Sequence, residues 1–165
     1  MSAWDKYLNG FLLNKQLPGG KWLQKIAEHA AILSSEGTIL AATPGFNLGH
    51  YVFEMKIDEK TVKNVVVDER VGLKQIVNTG KADGLEAGVR VNNEKYMMVS
   101  YEPTKKLAYF KIHGAGGACV MATKTTIIFA SYNPSQKMSD GVAQNAGVIN
   151  DVVEKLGATL LANKC

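Results

Sequence analysis

Apolar positions along the chain change their period several times, and each change predicts an element. Trp4, Tyr7, Leu8, Phe11 and Leu12 recur at i, i+3, i+4, i+7 and i+8, the spacing that gathers side chains onto one stripe of a helix. An amphipathic helix is therefore predicted at the start, with Ser2 as its N-cap. Pro18, Gly19 and Gly20 break it, and "KWLQKIAEHA" has room for a second short helix before an extended stretch opens at Ala30. From there "AAILSS", "TILAAT", "HYVFEMKI" and "NVVV" are short runs rich in β-branched and aromatic residues, punctuated by the turn pairs Glu36-Gly37 and Pro44-Gly45.

"DERVGLKQIVNT" returns to helical spacing. Val71, Leu73, Ile76 and Val77 are expected on one face, Asp68 is the expected N-cap and Gly80 the stop. The strands resume with "GVRVNN", "KYMMVSYE", "KLAYFKIH", "ACVMATK" and "TTIIFASY", with loops at Pro103-Thr104 and Asn133-Pro134. In the last segment Val148, Val152, Leu156 and Leu160 fall four apart, widened by Ile149 and Val153, which predicts a terminal amphipathic helix. Strands flanked by segregated helices argue the α+β class. No internal repeat or low-complexity segment interrupts the pattern.

A chain of 165 residues buries one substantial core, so residues 1–165 are expected to form a single domain. The net charge of +4 comes from 19 Lys and Arg against 15 Asp and Glu, interspersed without a basic run. That suits an acidic partner and falls short of a nucleic-acid footprint. Cys119 and Cys165 lie far apart with no metal-like spacing to a histidine, which reads as free thiols in a reducing compartment. The start "MSAWDKYLNGFLLNKQ" is amphipathic and broken by Asp5, Lys6 and Asn9, unlike a signal peptide, and a cytoplasmic location is expected.

"HGAGGACV", residues 113–120, admits three readings: an oxyanion loop, a phosphate cradle, or a hairpin turn. An oxyanion loop of this kind goes with a nucleophile elbow, and the chain has no G-x-S-x-G. Neither phosphate-loop pattern is completed, since Cys119 stands where G-x-G-x-x-G needs its last glycine and "GGK" at 19–21 runs on into Trp22. With alternating strands on both sides, the turn is favoured. His29, His50 and His113 are too scattered for a metal site. Trp4 and Tyr7, one helical turn apart, fit either core packing or a flat platform for a polyproline II ligand. Lys105, Lys106, Lys111 and Lys124 either solvate the sheet or meet an acidic partner or phosphoinositide headgroups.

Taken in order, five stretches resemble the profilin family of actin-monomer-binding proteins. "MSAWDKYLNGFLL" is similar to its first helix, M-S-W-x-x-Y, with one extra residue before the tryptophan. "AAILSSEGTILAA" is similar to its first hairpin, "GVRVNNEKYMMVSYE" to its G-x-x-L-G-G-x-K-Y-M-V-I strand pair, "HGAGGACVMATKT" to its glycine-turn hairpin, and "NDVVEKLGATLL" to its terminal helix. Extra residues fall around 14–28 and 135–147.

The resemblance implies a central antiparallel β-sheet between the N- and C-terminal helices on one side and shorter helices on the other. It implies monomeric actin as partner, no cofactor, no catalysis and a cytoskeleton-associated location. The actin face would draw on Lys74, Gln75, Lys111, His113, Lys124, Asp140, Gly141, Gln144 and Asn145. A polyproline site for proline-rich proteins such as formins would use Trp4, Tyr7, Leu40 and Thr159, with Leu40 and Thr159, and Cys165 beyond them, standing where the family has aromatics. Weak or altered proline-rich binding is expected, because each missing ring removes stacking worth ~1 kcal/mol. The alternative is a profilin-like interaction scaffold that has lost one of these ligands.

Overall fold

The computed structural model describes residues 2–165. Helix α1 (Ala3–Tyr7) starts in a reciprocal cap: the Ser2 hydroxyl accepts from the Asp5 N–H, and the Asp5 carboxylate accepts from Ser2. Those bonds hold the Asp5 carboxyl below its ordinary range. The helix continues as a π-helical turn, Leu8–Leu12, in which the Leu13 N–H reaches back to the Leu8 carbonyl.

The short helix expected in residues 21–30 does not form. Gly19 and Gly20, at φ +90° and +89°, turn the chain back. Strands β1 (Asn14–Gln16) and β2 (Trp22–Gln24) then pair as a hairpin. Lys25 at φ +56° stops any helical continuation. The burial of β2 alternates, with Leu23 inside and Trp22 and Gln24 outside, a period of two rather than 3.6.

The remaining strands are β3 (His29–Ser34), β4 (Ile39–Ala42), β5 (His50–Lys56), β6 (Val62–Asp68), β7 (Val89–Val91), β8 (Glu94–Glu102), β9 (Leu107–Lys111), β10 (Gly117–Ala122) and β11 (Thr126–Tyr132). Seven form one antiparallel sheet in the order β4-β3-β11-β10-β9-β8-β7. Strands β5 and β6 pair only with each other. Helix α2 (Glu69–Thr79) is capped by the Asp68 carboxylate and ends at Gly80, as the sequence predicts. Leu73, Ile76 and Val77 are buried, but Val71 is exposed. It precedes Leu73 by two residues, about 200° around the helix.

Helix α3 (Ala146–Ala162) covers one sheet face together with the N-terminal segment. Its Ile149, Val152, Val153, Leu156 and Leu160 pack with Leu8, Leu12, Met121 and Ile128. Helix α2 covers the other face, packing with Leu33, Phe46, Tyr96, Phe110, Val120 and Phe129. The second face therefore carries one helix, with the β5–β6 hairpin as its companion, anchored by a small cluster of Val65, Val67 and Ala87 against Tyr51, Phe53 and Met55.

The two extra segments meet each other. Gln24 and Ser139 exchange bonds, N–H to Oγ at 2.8 Å and N–H to carbonyl at 3.0 Å. The buried Gln144 amide donates to the Lys25 carbonyl at 2.9 Å and accepts from the Asn133 N–H at 3.0 Å. Among the described residues no helix is long and apolar enough to cross a membrane.

Both cysteines are free, Cys119 buried in β10 and Cys165 half-buried at the chain end. Burial pushes the Cys119 thiol up, away from its reactive thiolate. Titration of the native protein with a disulfide reagent at pH 8 is expected to label Cys165 alone, and Cys119 only after denaturant is added. Rapid labelling of both in the native state would contradict the buried position of β10.

Candidate functional site

Of the three readings of the glycine stretch, the structure has the turn. It joins β9 to β10 and closes with the Ile112 N–H donating to the Gly116 carbonyl at 3.0 Å. Gly116 sits at φ +106°, and a Cβ there would lie 2.8 Å from the Tyr132 carbonyl oxygen. A Cβ on Gly117 would overlap the Phe110 carbonyl. The glycines are thus required by close backbone approach, and His113 rides exposed on the turn.

Lys111 is placed beside the start of α3. A groove of about 300 Å³ runs there, lined by Val99, Tyr109, Lys111, Tyr132, Ala146 and Asn150. Asn145, expected at this face, precedes the groove residue Ala146 and caps α3, its Oδ1 accepting from the Val148 N–H at 3.1 Å. Next to Lys111 across the ladder is Met97. Met97 and Val99 are 52% and 58% exposed, apolar area left open where the register shifts between Met98 and Ser100. Sequence reasoning did not single out Met97, Val99 or Asn150. The available signal was the run "YMMV" in β8, which breaks the alternation that a half-buried strand keeps.

The other expected actin residues are dispersed. Lys74 pairs with Glu36 at 2.8 Å, and the lysine holds that carboxyl below its usual range. Gln75 donates to the Lys81 and Asp83 carbonyls, bracing the loop after α2. Lys124 lies in the β10–β11 turn, at the opposite end of β10 from His113. Asp140 and Gly141 form an exposed turn in which the Asp140 carboxylate accepts from the Val142 N–H. Gln144 is buried, its amide committed to backbone groups, so it holds the loop and offers no side chain to a partner.

Trp4 and Tyr7 are half-buried with ring centroids 5.8 Å apart, and both pack at the edge of the α3-side core, as does Leu40. One side of the rings meets the core while part of their surface stays in solvent. The Thr159 hydroxyl donates back to the Lys155 carbonyl at 2.9 Å. Of the four lysines, Lys105 lies 3.7 Å from Glu154 and Lys106 donates to Asn78. These two share one sheet end with Lys124, whereas Lys111 lies at the other.

A family model described as Profilin matches residues 2–165. A Tetrahymena pyriformis protein named profilin is 30% identical over 161 residues, covering 97% of this chain and 97% of its own. The fold is similar to that of mouse profilin IIa, solved in complex with a double repeat from the FH1 domain of mDia1, with TM-score 0.57 and 14% identity over 99% of this chain and 100% of that one. It is also similar to LokiProfilin2, solved in complex with rabbit actin, with TM-score 0.50 and 17% identity over 94% and 97% of the two chains.

Proposed function

Because the chain belongs to the profilin family, we propose that it binds monomeric actin, without catalysis of its own, and so regulates filament assembly in the cytoplasm. One observation carries the placement of the contact: the uncovered sheet surface where Lys111, Met97 and Val99 meet the first turns of α3. It combines exposed apolar area with a cation, the pairing suited to an acidic protein surface. LokiProfilin2, with a similar fold, was solved with actin. His113, Asn145 and the exposed Asp140–Gly141 turn complete the proposed contact, whereas Lys74 and Gln75, on α2 against the opposite sheet face, stand apart from it.

Purified protein is expected to bind actin monomers and slow spontaneous assembly followed by pyrene fluorescence. Lys111→Glu is expected to weaken binding roughly tenfold, about 1.4 kcal/mol. Lys56→Glu, on the exposed face of the β5–β6 hairpin, should leave it unchanged. Equal binding by Lys111→Glu and the parent would remove the contact from this face. No binding by the parent would move the function to a scaffold role.

A second ligand, a proline-rich segment, is supported by the Trp4–Tyr7 pair beside Leu40 and by the formin repeat bound to a profilin of similar fold. What supports an anionic headgroup contact is the gathering of Lys105, Lys106 and Lys124 at one sheet end.

A further inference from the structure

The aromatic stripe of the first helix does not stop at Tyr7. Tyr7 and Phe11 have ring centroids 5.9 Å apart, following the 5.8 Å between Trp4 and Tyr7, and the interplanar angles are alike, 41° and 43°. Phe11 then opens onto a groove of about 300 Å³ between the N-terminal segment and α3, bounded by Val152, Lys155 and Trp22. Trp22 is 50% exposed although its neighbour Leu23 is buried. The β1–β2 hairpin therefore sets a tryptophan at the groove and draws little of its burial from it. Val152, Lys155 and Thr159 follow one another at i, i+3 and i+7 on α3, so one helical stripe runs from the groove towards the expected polyproline residue.

We propose that Trp4, Tyr7, Phe11 and Trp22 form one extended track for a proline-rich peptide in the polyproline II conformation, with Lys155 receiving an acidic residue flanking the prolines. The proposal rests on the proline-rich ligand named above and shifts its weight towards the hairpin. A polyproline II chain rises about 3.1 Å per residue, so a two-residue step of roughly 6.2 Å matches the measured ring spacing. Such a ligand is ordered before it binds and needs flat apolar surface with occasional polar donors, which Trp and Tyr supply. Lys15 on the same groove is occupied by Asp151 at 2.6 Å, which leaves Lys155 as the cation without an ion pair among the described residues. Phe11 and Trp22 thereby stand in for the rings replaced by Leu40 and Thr159.

The test is titration of the full chain with oligoproline peptides of six and twelve residues, with thermal unfolding confirming that each variant is folded. The parent is expected to bind the longer peptide at least tenfold more tightly. Trp22→Ala should lose that gain while keeping the affinity for six prolines, whereas Trp4→Ala should weaken both. Twelve prolines flanked by Glu should bind more tightly than the same run flanked by Lys, with the preference lost in Lys155→Ala. A length gain in Trp22→Ala equal to that of the parent overturns the extended track and leaves the shorter platform standing. Failure of the parent to bind either peptide overturns the proline-rich ligand itself, and an undiminished flank preference in Lys155→Ala overturns the acidic contact.

Discussion

Replacing Glu69 by alanine is expected to cost about 3–5 kcal/mol, an effect normally seen when a buried charge network loses its centre. Glu69 is 1% exposed. Its carboxylate accepts from the Gly49 N–H at 3.0 Å, the Tyr51 hydroxyl at 2.6 Å and the Asn93 N–H at 2.9 Å. The Tyr51 hydroxyl in turn accepts from Arg90 Nε at 2.8 Å, and the guanidinium lies 4.5 Å from the Phe53 ring centroid. Burial, reinforced by the bond to Glu69, pushes the Tyr51 phenol up, which keeps it protonated and donating. Alanine would leave three donors unpaired where the β5–β6 hairpin, α2 and the β7–β8 turn meet through one side chain. Glu69→Gln keeps the shape but turns an amide NH₂ towards a donor, so an intermediate loss is expected. Urea unfolding would give the magnitudes, and hydrogen exchange should show the amides of β5 and β6 losing protection first. A loss below 1 kcal/mol for Glu69→Ala would mean that the hairpin is held by its apolar contacts alone.

Phe129→Ala is expected to be as costly, about 3–5 kcal/mol, for a different reason: it leaves a void. Phe129 is 1% exposed on β11, near the middle of the sheet. Its ring centroid is 5.3 Å from that of Phe46 and 6.2 Å from that of Tyr96, within the cluster that seats Leu73, Ile76 and Val77 of α2. Strand β11 is held on both sides by ladders, so the backbone is poorly placed to collapse into the space. Phe129→Leu, which keeps most of the volume, should cost about 1.5 kcal/mol or less. Equal stabilities for the two variants would show that the α2-side core relaxes around the site.

Much of the fold is legible because single residues settle it. Asp68 and Gly80 bound α2, Ser2 caps α1, and the β-branched and aromatic runs in "TTIIFASY" and "KLAYFKI" belong to a sheet. The stretch from Lys21 to Ala30 misleads because Ile26, Ala27 and Ala30 fall near helical spacing. What decides it is the turn at Gly19-Gly20 together with a left-handed lysine, a local backbone choice that overrides periodicity.

The candidate site was legible only where a residue type and its strand coincided, as at Lys111. Gln144 looks available in sequence, yet its amide completes the bonding of two backbone groups. Lys124 and His113 stand near each other in sequence, but the six residues of β10 between their turns separate them by roughly 20 Å. Trp22 was read only as the residue that spoils a phosphate loop. Its value depends on what the hairpin places beside it, which no local pattern states.

The bonds joining Gln24 to Ser139 and Lys25 to Gln144 make the two extra segments a single removable part. Cutting out residues 14–24 alone would strand the later loop without the backbone partners that shape it, and trimming that loop would undo the hairpin in the same way. Grafting the tryptophan-bearing hairpin onto a plainer scaffold of this fold would therefore require carrying both pieces at once.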